Sequence, residues 1–277
     1  MPSKKTLKRR LSGVNTTQKI IKAMNMVAAS KLQKEKARLA ANEPFFRESA
    51  AILSHLKHAQ DITEHPFFKP RAVKNTAYLV ITSDKGFCGS YNTNIAEAAL
   101  THMSDKRKEQ IFVLGAKGYA FFSRHGKQIL QKYDDSLDSV SYDTAARMSR
   151  QLTDLFFSNS VDEIYIAYTK FESVLIHTPQ IEKLFPIDTA AKPKHSMKYE
   201  PDLSSFIDAA VPLYLSAFIY NALLESFACE QASRMLSMDT AADNAADIMD
   251  KLTHVYNRRR QAAITQEINE LVSGTNG

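Results

Sequence analysis

The sequence predicts an α/β central domain joined to a long antiparallel coiled coil of the N- and C-terminal helices. Three observations predict it. Breakers are scarce at the ends: the chain has only 8 Gly and 9 Pro in 277 residues, no Gly between Gly126 and Gly274 and no Pro after Pro212. A chain so poor in breakers is dominated by long helices. An unslipped seam of alternating four- and three-residue steps runs through the N-terminal segment. Between the ends, short β-rich runs alternate with helical patterns, the signature of an α/β domain.

Element by element, the seam comes first. Positions 7, 11, 14, 18, 21, 25, 28 and 32 read Leu, Leu, Val, Gln, Ile, Asn, Ala, Leu, and six of the eight are apolar. Such spacing is a coiled-coil seam, and the two polar positions are of the kind that fix register at some cost in stability. A second stripe of Ile20, Met24 and Val27 makes the apolar face wider than a two-helix seam needs. Gly13 costs about 1 kcal/mol inside this helix, and Pro44 is expected to kink or break it, with the pattern resuming from Glu48 to Leu56. The N-terminal helix is thus expected over 1–57 and a proline-bearing linker over 58–74.

The central domain is expected over 75–190. Its strands are read at Thr76–Thr82, Gln110–Leu114, Asp162–Thr169 and Ser173–His177, with helices at about 94–104, 116–125 and 142–158. A second linker covers 191–211. The C-terminal helix is expected from Pro212 to about residue 273, because Leu213 to Ser273 holds neither Gly nor Pro. At 1.5 Å per residue that is roughly 90 Å of helix. Its stripe is clearest at Ala241, Ala245, Ile248, Leu252, Val255 and again at Ile264, Ile268, Leu271. Two such helices cannot bury their stripes within one compact globule, so they are expected to pair with each other as an antiparallel rod.

Composition bounds the function. An apolar fraction of 44% with 24% charged residues suits a folded globular chain. Cys88 and Cys229 are far apart and neither sits in a C-x-x-C pair, which excludes a disulfide scaffold and a cysteine zinc site and fits a reducing compartment. No apolar run approaches the roughly 18 residues needed to span a bilayer. The net charge of +6 is unevenly spread: residues 1–38 hold eleven Lys and Arg and one acid, a net of +10, which leaves −4 for the rest. A solvated helix face, a contact with nucleic acid or anionic membrane, and a contact with an acidic protein surface all fit that segment.

Candidate chemistry is thin. Gly86-Phe-Cys-Gly89 and Gly115-Ala-Lys-Gly118 follow strands, but neither completes a dinucleotide or triphosphate loop, so tight strand-to-helix turns are expected. His55, His58 and His65 near Asp61 and Glu64 could hold a metal, yet read more simply as a solvated helix end. Cys88 has no neighbouring histidine in sequence, and Asp134-Asp135 lacks a second carboxylate that sequence can identify. No catalytic, cofactor or metal residue is therefore expected.

The terminal segments carry a more specific signal. Lys8-Arg9-Arg10, Thr17 to Lys31 (TQKIIKAMNMVAASK), Ser83 to Asn94 (SDKGFCGSYNTN), Tyr199 to Asp202, Tyr220 to Ser226 and Tyr256 to Gly274 (YNRRRQAAITQEINELVSG) occur in order over residues 8–274. Together they resemble the gamma subunit of bacterial F-type ATP synthases. Asn15, Thr16, Ile21 and Asp239 depart from the usual family residues, the last putting any salt bridge from that position in doubt.

The resemblance implies a non-catalytic rotor shaft that binds no cofactor. Its paired helices would stand inside a ring of three catalytic and three noncatalytic nucleotide-binding subunits, with the α/β domain near the epsilon subunit and the membrane rotor ring of c subunits. Ion flow would turn the shaft and so drive ATP synthesis, or hydrolysis in reverse. Neither nucleic acid nor direct membrane insertion enters that scheme. The chain would sit peripherally on the cytoplasmic face of a bacterial cell membrane, since a motif beginning at Lys8 leaves no room for a cleaved presequence. The resemblance also implies partner contacts at Met24, Arg260, Gln261, Thr265 and Glu267. The alternative is a coiled-coil binder of nucleic acid or membrane surface, which would show steep salt dependence.

Overall fold

The computed structural model describes residues 3–59, 62–103, 108–189, 199–200 and 202–275, with the backbone alone for Lys4, Glu267, Glu270 and 271–275. The chain forms two compact units, one of residues 30–233 and one made from 1–29 with 234–277.

In the larger unit a five-stranded sheet has the order β3-β2-β1-β4-β5. Its strands are β1 (Asn75–Ile81), β2 (Lys108–Leu114), β3 (Ile129–Tyr133), β4 (Glu163–Phe171) and β5 (His177–Phe185). β1 to β4 pair in parallel and β5 returns antiparallel along β4. The helices are α1 (Lys4–Leu56), α2 (Tyr91–His102), α3 (Ala116–Arg124), α4 (Tyr142–Phe157) and α5 (Leu203–Thr275). Parallel strands need crossover helices, which cover both faces and make β1 a nearly continuous apolar run. Alternation sorts its side chains. Ala77, Leu79 and Ile81 join Phe112, Leu114, Ile164 and Ile166 under α4 and the 207–227 stretch of α5. Tyr78 and Val80 join Ile111, Val113 and Ala167 under α2 and Phe122 of α3.

The segment before β1 packs rather than dangles. Phe67 and Phe68 are each 1% exposed. Phe67 stacks on Phe185, with ring centroids 5.6 Å apart, and Phe185 stacks on Phe156 at 4.8 Å. Arg71 lies 3.9 Å over the Phe156 ring and donates to the Phe156 carbonyl.

Three details differ from the sequence expectation. α1 is not broken at Pro44, which lacks the N–H that would serve the Ala40 carbonyl; Ala40 is exposed, so solvent can reach that carbonyl. α5 begins at Leu203, nine residues before Pro212, because Asp202 caps it: the Ser205 N–H and hydroxyl both donate to the Asp202 carboxylate. Those bonds hold the Asp202 carboxyl below its ordinary range. Finally, Ser173–Ile176 is the turn of the β4–β5 hairpin, closed by Ser173 N–H and Glu172 N–H donating to the Ile176 carbonyl, so the strand starts at His177. β3 has no counterpart in the sequence reading, and the fold class stands.

Candidate functional site

In an open α/β sheet, ligands bind beyond the carboxyl ends of the strands where the chain reverses direction across the sheet. Here that point lies between β1 and β4. The loop after β1 fills it with its own side chains. At the start of α3, Ala116 N–H donates to the Asp84 carboxylate at 3.0 Å, Lys117 N–H to the Ser83 carbonyl, and Gly118 N–H to the Thr82 hydroxyl at 2.9 Å. The amides and dipole that could hold a phosphate are therefore spent on the protein's own groups. Ser83 N–H donates to Asn92 at 2.9 Å, and Asn92 donates to the Cys88 thiol at 3.1 Å.

The glycines serve the same packing. A Cβ on Gly115, where φ is +96°, would lie 2.2 Å from the Thr82 carbonyl oxygen, and one on Gly118 would lie 2.6 Å from the Thr82 hydroxyl. They let helix and strand approach, as the tight-turn reading expects. Cys88 is buried beside Tyr91 and Cys229, and burial pushes the Cys229 thiol up, away from the thiolate range.

His65 and Asp135 have partners within the chain, and His65, with its side chain 9% exposed, is not at a solvated helix end. His65 accepts from Phe67 N–H and pairs with Asp208 at 3.2 Å, while Asp61 lies outside the described residues. Among the described residues no group of three metal-binding side chains occurs. Asp135 pairs with Arg147 at 2.8 Å.

The helix pair is the remaining candidate. In the smaller unit, Gln18 donates to the Ala242 carbonyl at 3.4 Å and Asn25 to the Met235 carbonyl at 2.9 Å. Seven residues up one helix match seven down the other, so the pair is antiparallel. The two polar seam positions thus find fixed acceptors on α5. All eight seam positions are buried or half-buried, with Leu7 at 2% and Ala28 at 1%. The second stripe is only partly covered: Met24 is half-buried, whereas Ile20 and Val27 are each 56% exposed.

By this register, Lys4 stands opposite Tyr256. Beyond it, among the described residues, α5 continues to Thr275 without α1 beside it. Arg260, Gln261 and Thr265 lie on that unaccompanied stretch, all exposed; the Thr265 hydroxyl donates to the Gln261 carbonyl. Glu267 lies on the same stretch, and its side chain falls outside the described residues. Ile264 and Ile268 are 46% and 53% exposed there. Half-buried Met24 stands opposite about residue 236, so some 24 residues, or about 36 Å of helix, separate it from Arg260. The structure therefore places the five contact candidates in two regions. Sequence periodicity missed this because it does not show where a partner helix stops.

Comparison with known proteins gives the family. A family model described as ATP synthase matches residues 3–277. The ATP synthase gamma chain of Alkaliphilus metalliredigens is 36% identical, covering 97% of this chain and 96% of that one. The gamma chain of Histophilus somni is 34% identical over 99% of both chains. In solved structures, a chain from the central stalk and c-ring of the Tetrahymena thermophila mitochondrial ATP synthase aligns with a TM-score of 0.62 and 27% identity, covering 80% of this chain and 99% of that one. A rotor chain of the Euglena gracilis mitochondrial ATP synthase aligns with a TM-score of 0.72 at 16% identity, over 94% and 98%, a likeness of fold. The chain belongs to the ATP synthase gamma chain family.

Proposed function

We propose that this chain is the central rotor shaft of a bacterial ATP synthase, turning inside a ring of three catalytic and three noncatalytic nucleotide-binding subunits. It does no chemistry of its own. The epsilon subunit and the ring of c subunits are its partners at the α/β domain, and the complex lies on the cytoplasmic face of the cell membrane. Ion flow through the membrane ring turns the shaft to drive ATP synthesis, and hydrolysis turns it in reverse.

Full-length membership of the family carries this reading. The surface supports it: Ile20, Val27, Ile264 and Ile268 leave apolar area on both helices for an outside partner. Lys5, Lys8, Arg9, Arg10, Lys19 and Lys22 are exposed and suit acidic loops of the catalytic subunits. The nucleic-acid alternative loses part of its charge, because Lys31 pairs with Asp138 and Arg38 with Glu35.

The grip on the catalytic subunits is assigned to Arg260, Gln261, Thr265 and Glu267, with Met24 as a separate contact lower on the rod. Reconstitution tests both levels. Catalytic and noncatalytic subunits mixed with this chain should form a complex with steady-state ATPase activity, and failure to do so would sink the shaft reading. Arg260→Ala with Gln261→Ala should leave the chain folded and slow that ATPase, each lost hydrogen bond being worth about 0.5–3 kcal/mol. Unchanged turnover and coupling would remove these residues from the grip.

A further inference from the structure

Within the 30–233 unit, the long helices and the α/β domain share one apolar core. Apolar burial holds surfaces together but is non-directional, so it resists separation better than slippage. Polar contacts add direction, and one side chain gathers three elements. Arg38 of α1 donates from Nη1 to both oxygens of Glu35, at 2.9 and 3.0 Å, and from Nη2 to the Val140 carbonyl at 2.7 Å and the Tyr220 hydroxyl at 3.3 Å. Val140 caps the short 3-10 turn Leu137–Ser139 ahead of α4, and Tyr220 lies on α5. A single guanidinium thus bonds α1, the α/β domain and α5 at one point.

The surroundings fix that point. Glu35 is 2% exposed, and Arg38 is its ion-pair partner. The Tyr220 ring meets Tyr142 edge-on at 5.9 Å, and Lys31, about two turns of α1 from Arg38, pairs with Asp138 on the same loop. Farther along α1, Asn42 donates to Asn221 of α5 at 3.2 Å. Asn221 donates to Glu225 at 2.7 Å, and Glu225 accepts from Phe171 N–H at the end of β4.

We propose that Arg38 is a positioning residue for torque transfer, the directional junction that locks both long helices to the α/β domain. The proposal rests on the shaft reading. A planar guanidinium can face three acceptors at fixed angles, whereas a lysine ammonium on a flexible stem cannot hold all three at once.

The test is made in the assembled complex, in membrane vesicles, by measuring ions pumped per ATP hydrolysed. The wild-type chain must first restore coupled pumping to a complex lacking it; failure there would sink the shaft reading and not the junction. Arg38→Lys keeps a charge for Glu35, so thermal stability should stay close to wild type. Pumping per ATP should fall at least twofold. Glu35→Gln with Arg38→Met removes both charges and leaves none buried alone. It should also fold and hydrolyse ATP, with coupling reduced at least threefold. Wild-type coupling in a stable Arg38→Lys complex would overturn the proposal. So would full coupling in the neutral double variant, since that would mean the pair serves the fold alone. Should the double variant fail to assemble, the Arg38→Lys ratio decides.

Discussion

Replacing Ile264 and Ile268 by aspartate separates what holds the chain together from what holds it in a complex. Both lie on the stretch of α5 that continues past α1, at 46% and 53% exposure. Fully burying an isoleucine side chain is worth about 1.5–3 kcal/mol. The half still exposed on each therefore leaves roughly 0.8–1.5 kcal/mol for a partner to gain, or about 1.5–3 kcal/mol for the pair. In the isolated chain each change sits at a half-exposed position with no partner helix beside it among the described residues and should cost about 0.5 kcal/mol. In a complex with an apolar sleeve around the shaft, two buried carboxylates add a desolvation penalty of several kcal/mol. The isolated double variant should thus melt within a few degrees of wild type. Its affinity for the assembled catalytic and noncatalytic subunits should fall at least about 30-fold, since each 1.4 kcal/mol is a factor of ten. Titrating labelled chain into the preformed ring measures this. Wild-type affinity in a folded double variant would mean that this end of α5 is merely solvated, and the reasoning would fail.

Other consequences can be measured on the chain alone. Asn25→Ala removes the donor to the Met235 carbonyl and should lower stability by about 0.5–1.5 kcal/mol in urea, whereas Asn25→Leu should gain stability yet loosen the register seen by paired-cysteine cross-linking. Gly115→Ala forces a Cβ to 2.2 Å from the Thr82 carbonyl at φ +96°, so strain and overpacking together should cost roughly 2–6 kcal/mol. An unchanged urea midpoint would mean that the loop has room for a ligand after all. His177, stacked on Phe171 and bonded to Ser233, is held below its ordinary value by burial, so the unfolded chain takes up this proton first. Stability should therefore decline as pH falls below about 6.5, and His177→Phe should shallow that decline; identical pH profiles would contradict it.

What sequence could show was set by how local the cause is. The seam from Leu7 to Leu32 is a periodicity, and each of its positions is among the covered ones in α1. Gln18 and Asn25 stood out as polar residues on an apolar line, and both prove to bond across the pair. β1, β2 and β4 were legible because burial on both faces leaves continuous apolar runs. β3 was not, because an edge strand reading Ile-Leu-Gln-Lys-Tyr is only partly covered and mixes polar with apolar. Pro212 drew the start of α5 to itself, although the Asp202 cap with Ser205 three residues on was the better signal. The plug at the sheet's switch point needs Asp84, Ser83 and Thr82 brought to α3 from 32 to 36 residues away, which no local pattern reveals. The split of the contact candidates depends on where α1 starts against α5, a tertiary register rather than a motif.

Rotation of the chain inside the complex tests the central claim most directly. Cys88 and Cys229 are buried, so a cysteine introduced at exposed Gln128, in the turn between α3 and β3, would be the reactive thiol of this chain for a gold or fluorescent rod. With the catalytic ring fixed to a surface and ATP supplied, the rod should turn in one direction, in steps, at a rate that rises with ATP concentration. A complex that hydrolyses ATP at its full rate while a rod firmly bound at Gln128→Cys stays still would contradict the account.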